Sequence, residues 1–279
     1  MPLREREIDS IEQIAKDRPY WSGGTTIFRA LGIGDDWSFN RRANGQFRDH
    51  LRQLEDEQSE ALLSYFELRH HEHKDAVWPI RGLKLFISHR DEQRANLALL
   101  ATALKRYGIA AFLAHDAIIA GRDWRSELLG GLGSMDALLA YCSPGFADSD
   151  WTLQEVGFAF GKGVPVVSVL AGENPTGLLE QWQGIRGGVN SAETARDMAE
   201  SIFERLAAAD AAKEPLSEGL ASRLKFAGSF DAAAFITDKL VQVGRFSMRA
   251  ADTIRIAQVA NDQVGVNEEL LGLLGEVGQ

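Results

Sequence analysis

Leu83-Lys84-Leu85-Phe86-Ile87-Ser88 is a short apolar run after Pro79, and the stretch that follows, Asn96 to Tyr107, sets Leu97, Leu100, Ala101 and Leu104 on one helical face before Gly108 stops it. Apolarity that continuous over so few residues reads as a strand buried on both faces, and with the helix it makes half of a βαβ unit. The cycle then repeats. Ile109 to Leu113 is a strand, His115 to Arg122 a polar turn and Asp123 to Leu132 a helix; Asp136 to Cys142 is a third strand. A helix from Asp150 to Gly161 leads to a fourth strand, Val164 to Leu170. A last helix, Ala192 to Ala209, is capped by Ser191 and turns Met198, Ile202, Phe203 and Leu206 inward. Alternation of this kind predicts an α/β fold with a parallel sheet covered on both sides, and right-handed crossovers make it doubly wound and flavodoxin-like.

Outward from this core the pattern changes on both sides. Before Pro79 it is helical: Ile8, Ile11 and Ile14 recur at helical spacing, and Phe47, Leu51, Leu54, Leu62 and Phe66 suggest one amphipathic helix from Gln46 to His70. Such a helix either packs on the neighbouring domain or offers a surface for self-association. After Lys213-Glu214-Pro215 the chain reads as three or four short helices, among them Asp231 to Val243, ended by Gly244, and Met248 to Val259, preceded by Ser247. The expected organisation is an N-terminal helical segment over 1–80, an α/β domain over 81–209 and a small helical segment over 210–279.

Composition narrows the function classes. With 279 residues, 45% hydrophobic and 25% charged, the chain can bury a core unaided. A net charge of −10 leaves no electrostatic footprint for nucleic acid, although a few arginines would suffice for a small diphosphate. The single cysteine, Cys142, allows neither a disulfide within one chain nor a thiolate zinc site, which fits a reducing cytoplasm. The charged N-terminus has no apolar signal core and no run is long enough to span a bilayer, so a cytoplasmic protein without membrane contact is expected. His70, His71 and His73 resemble a metal cluster, but a helix sends adjacent side chains to different faces, and no metal is expected.

Ligands of an open parallel sheet bind beyond the carboxyl ends of its strands. Four clusters follow the strand-like runs: Ser88-His89-Arg90, the turn His115 to Trp124, Ser143-Pro144, and Asp148 to Glu155. Trp151 and Glu155, four apart on a helix, share a face. On pattern alone Glu155 also fits a capping box opened by Thr152, and Trp151 also fits core packing at a helix start. Arg90, Arg122 and Arg125 are candidate diphosphate partners or solvated surface arginines, and Asp116 is equally a turn former. Gly130-Gly131-Leu132-Gly133 ends a helix where a dinucleotide fingerprint would open one, and Cys142 reads as a buried strand residue.

The order and spacing of four pieces carry a resemblance: Phe86-Ile87-Ser88-His89-Arg90, Asp116 to Trp124, Leu139-Ala140-Tyr141-Cys142-Ser143-Pro144, and Trp151-Thr152-Leu153-Gln154-Glu155. Over Leu83 to about Leu206 the chain resembles the TIR (Toll/interleukin-1 receptor) domain family, in particular its bacterial and axonal members that consume NAD+. His89 stands where that family usually has an aromatic such as tyrosine.

The resemblance implies that Glu155, the glutamate of the W-x-x-x-E motif, is catalytic, and that Ser88, His89, Arg90, Asp116, Gly121, Arg122, Trp124, Ser143 and Trp151 contact the substrate. The chemistry suits a carboxylate: departure of nicotinamide leaves positive charge on the ribose, which a negative neighbour stabilises, and nicotinamide, cationic in NAD+, leaves without a general acid. It further implies a glycohydrolase that releases nicotinamide and gives ADP-ribose or a cyclic isomer, with NAD+ as substrate and no separate cofactor. A place in bacterial antiviral defence, activation by assembly, and a separate effector or sensor protein as partner are implied in the same way. The rival expectation is a non-catalytic scaffold that recruits other TIR domains. A third is a flavodoxin-like relative that cleaves a different N-glycosidic bond.

Overall fold

The structure, a computed structural model, describes residues 5, 8, 9, 11, 46–54, 59, 78, 80–113, 124–181, 183–265 and 267–277. Contacts divide the chain into two compact units. One takes in Met1–Ala76, Lys225–Ala234 and Arg255–Val266; the other takes in Val77–Leu224, Phe235–Ile254 and Asn267–Gln279.

In the first unit, helix α1 (Gln46–Arg52) aims Arg48 and Arg52 at Glu5, and Arg48 also pairs with Asp9. The Arg52 and Arg48 guanidiniums hold the Glu5 carboxyl down at about 2. The buried Asn261 amide donates to the carbonyls of Lys225 and Ala227 at 3.2 and 3.0 Å. Apart from residue 59, the expected helix from Gln46 to His70 lies outside the described residues beyond 54, as do His70, His71 and His73.

The second unit holds the sheet: β1 (Leu83–Ser88), β2 (Ile109–Leu113), β3 (Ala137–Cys142), β4 (Val166–Leu170) and β5 (Ile185–Arg186). All neighbours are parallel and the order is β2-β1-β3-β4-β5, the flavodoxin-like arrangement expected from the alternation. Residues of β1 to β3 are almost uniformly buried, which is why they read as continuous apolar runs. Phe86, Phe112, Leu138 and Ala140 on one face pack with Leu128 and Leu132 of α3 (Trp124–Ser134) and with Val156 and Ala159 of α4 (Asp150–Lys162). On the other face α2 (Arg94–Leu104) and α5 (Ala192–Ala207) lie against each other.

The caps fall where the residue types require. Gly108 takes φ +69°, left-handed, after a 3-10 turn that extends α2. Ser191 accepts from the Thr194 amide at 3.2 Å, and the Thr194 hydroxyl accepts from the Ser191 amide at 3.0 Å, closing a capping box. Beyond α5 four helices follow: α6 (Asp210–Leu224), α7 (Phe230–Val243), α8 (Met248–Ala260) and α9 (Glu268–Glu276). Pro215 lies inside α6 and does not end it. The ring removes one amide donor, but burial of Leu216, Leu220 and Leu224 on the same helix outweighs that loss. Among the described residues no helix is long and apolar enough to cross a membrane.

α6 meets the sheet through glycine. A β-carbon on Gly219 would stand 2.1 Å from the Gly108 carbonyl oxygen, and one on Gly82 would stand 1.9 Å from the same atom. The effect of Gly219→Ala is therefore decided by a competition. Alanine favours a helix interior by about 1 kcal/mol, whereas an overlap with backbone that cannot swing aside costs about 1–3 kcal/mol. Overlap this deep should prevail, so Gly219→Ala is expected to lower the midpoint of thermal unfolding. An unchanged or raised midpoint would show that α6 moves away at little cost.

Candidate active site

In the order β2-β1-β3-β4-β5 the connections leave β1 in opposite directions, and the crevice beyond the carboxyl ends of β1 and β3 is where such sheets hold ligands. Ser88 ends β1 in register with Ala140, and Ser143 follows β3 directly. α4 then starts at Asp150. Its cap is Ser149, whose hydroxyl accepts from the Thr152 amide, and the Thr152 hydroxyl donates to the Phe146 carbonyl at 2.5 Å. Since the cap is Ser149, Thr152 and Glu155 do not form a capping box, and Glu155 stands one turn further in.

Glu155 is only 6% exposed. Burial pushes its carboxyl up to about 7, partly offset by the Ser88 hydroxyl, which lies near it without making a hydrogen bond of ordinary geometry. The Ser88 and Ser143 hydroxyls are both buried without a hydrogen bond of ordinary geometry, Ser88 at the end of β1 near Glu155 and Ser143 just after β3. Trp151, one turn before Glu155 on α4, is 49% exposed and is not a core residue. A buried acid one helical turn from a half-exposed aromatic is a candidate site for a ligand with an aromatic base.

His89 is buried, and its Nδ1 lies 2.8 Å from the Arg90 carbonyl oxygen, so it is a fixed part of the wall. Arg90 leans toward Glu92 at 3.6 Å, and its Nε lies near the loop after β3, 3.9 Å from where a β-carbon of Gly145 would be. Burial, with the Glu173 carboxylate adding to it, pushes the Cys142 thiol up to about 12, which leaves it no role as a thiolate nucleophile. The structure places Ser88 at the end of β1 with His89 and Arg90 directly after it, Ser143 directly after β3, and Trp151 and Glu155 in the first two turns of α4; of these, Ser88 lies near Glu155. Asp116, Gly121 and Arg122 lie outside the described residues; Trp124 opens α3, but its side chain and that of Arg125 lie outside the description too.

One neighbour of the site was not among the sequence candidates. Glu173, after β4, accepts from the Gly145 amide at 2.6 Å and from the Ala147 amide at 2.9 Å. Together with Leu170, Gly172, Asn174 and Arg186 it lines an open depression of about 320 Å³. The rule that ligands gather beyond strand ends applies to Ala171-Gly172-Glu173-Asn174 as much as to Ser143-Pro144, and would have flagged it.

Residues 85–209 match the family model of the TIR domain. No curated protein matches the chain.

Proposed function

We propose that the TIR domain over residues 85–209 is an NAD+ nucleosidase, in which the Glu155 carboxylate stabilises the positive charge that develops on the ribose as nicotinamide departs. The observation that carries this reading is the burial of Glu155 on the helix that follows β3, with the Ser88 hydroxyl at the end of β1 near it and Trp151 half exposed one turn earlier. A carboxylate held out of water acts on a nearby cation more strongly than a solvated one does. Ser88 and Ser143 would take ribose hydroxyls, Trp151 would cover the sugar or base, and Arg90 would face the diphosphate. NAD+ is the substrate and no further cofactor is required. The products are nicotinamide with ADP-ribose or a cyclic isomer of it. A role in antiviral defence, by depleting NAD+ or by making a nucleotide signal, follows from the resemblance of the motif order.

A second reading, a scaffold that recruits further TIR domains, is favoured by one observation. The outer face of α4 exposes Leu153 and Phe158, at 45% and 44%. The two readings are compatible if assembly of copies turns the site on, converting a rare competent state into the dominant one. Incubation of the full chain with NAD+, followed by chromatography and mass spectrometry, tests the activity and its product together. The same assay run against protein concentration, beside light scattering, is expected to show activity per molecule rising with self-association. No nicotinamide from any assembled form would leave only the scaffold, and flat activity per molecule in a chain that stays monomeric would remove assembly control.

A further inference from the structure

The loop between β3 and α4 delivers both Ser143 and Glu155, yet few of its own bonds fix it. Within it the Phe146 amide donates to the Ser143 carbonyl at 2.9 Å and the Ser149 amide to the Phe146 carbonyl at 3.3 Å. Gly145 sits at φ +82°, a left-handed turn. From the loop after the adjacent strand β4, Glu173 takes the Gly145 amide on one carboxylate oxygen and the Ala147 amide on the other, 28 and 26 positions away in sequence. Glu173 is itself anchored. Its amide and that of Ala171 both donate to the Cys142 carbonyl, at 3.2 and 2.9 Å, and a β-carbon on Gly172 would meet Pro144 at 3.2 Å. Hydrogen bonds to an ionised carboxylate are about twice as strong as neutral ones, and here two of them converge on three consecutive residues.

We propose that Glu173 is a positioning residue of this site: by clamping the Gly145 and Ala147 amides it fixes the entry to α4 and thereby the place of Glu155. The path is short. Glu173 holds the two amides that flank Phe146, the Phe146 carbonyl receives the Thr152 hydroxyl in the first turn of α4, and Glu155 follows one turn later. The inference rests on Glu155 as the reacting carboxylate, but the clamp is a statement about the fold that can be measured without turnover.

The experiment compares the full chain with its Glu173→Ala and Glu173→Gln variants in three measurements: amide hydrogen exchange, the Glu155 titration by carboxyl-carbon NMR, and NAD+ kinetics. Glu173→Ala is expected to speed exchange at Gly145 and Ala147 while the amides of Ala137 to Cys142 keep their protection. It should also move the Glu155 titration downward, because a loosened entry lets water reach the carboxyl. A displacement of the order of 1 Å costs about 10²-fold, so kcat should fall about 10- to 100-fold with KM changed far less. Glu173→Gln, which keeps one acceptor oxygen, should fall between the two. Wild-type exchange at Gly145 and Ala147 in the variants would overturn the clamp. Faster exchange with an unmoved Glu155 titration would overturn its reach to Glu155, whether or not the chain cleaves NAD+. Should Glu173→Ala not fold, the same two outcomes in Glu173→Gln decide the matter.

Discussion

Glu155→Ala and Glu155→Gln are expected to lower NAD+ cleavage by about 10²-fold or more, the scale on which loss of one preorganised electrostatic stabiliser is felt. Glutamine is the sharper variant. It keeps the size of the side chain and removes only the charge, so a loss shared by both changes belongs to the charge. Unfolding midpoints and circular dichroism of the variants show that the fold is kept, and near-normal turnover in a folded Glu155→Ala chain would end the assignment. The rate of the unaltered chain should also rise with pH through about 7, because burial holds the Glu155 carboxyl there and only its ionised form carries the charge.

Stability should run the other way over the same pH range. The Glu155 carboxyl has its folded value at about 7 against 4.5 for a glutamate in water, so between these the unfolded chain has lost a proton that the folded chain still holds. Unfolding then releases a proton, and stability falls as pH rises from about 4.5 to about 7, by about 3 kcal/mol in all for a shift of this size. Burial pushes Asp136 in the same direction, so the slope of the whole chain has more than one source. The difference between the unaltered chain and Glu155→Gln isolates one of them. Denaturant unfolding at pH 5 and pH 8 should show glutamine gaining on glutamate by about 3 kcal/mol between the two. A gap that does not change with pH would mean that water already reaches the carboxyl in the folded chain.

The parts of the fold that sequence made legible are those whose cause is local. β1 to β3 are almost wholly buried, and each shows it as an apolar run, interrupted in β1 only by Lys84 and ended by Ser88. Gly108 and Ser191 stop and start helices by their own conformational and hydrogen-bonding preferences. β5 left no such trace, because it is only Ile185 and Arg186, set between Gly184 and Gly187. Sequence set the start of the last helices after Pro215, whereas α6 already runs from Asp210 with the proline inside it, held by packing of the helix around it. At the site, the four-residue spacing of Trp151 and Glu155 rightly placed them on neighbouring turns, but not that the first is half exposed and the second buried. The amides that Glu173 holds lie 26 and 28 positions earlier, and no periodicity within a helix or strand records a bond of that span.

The approach of Gly219 to Gly108 bears on how this domain can be inherited. A segment exchanged between proteins by recombination must carry its close contacts with it, and here one of them lies ten residues beyond 209, where the family match ends. A fusion cut at 209 would lose that contact, and a replacement helix packed as α6 is would need glycine at the position of Gly219. The transferable module is therefore the family domain together with the helix through Leu224. Loss of that helix would remove only the Gly219 contact: Gly108 would keep its left-handed φ and Gly82 its close approach to the Gly108 carbonyl, so both positions would still require glycine.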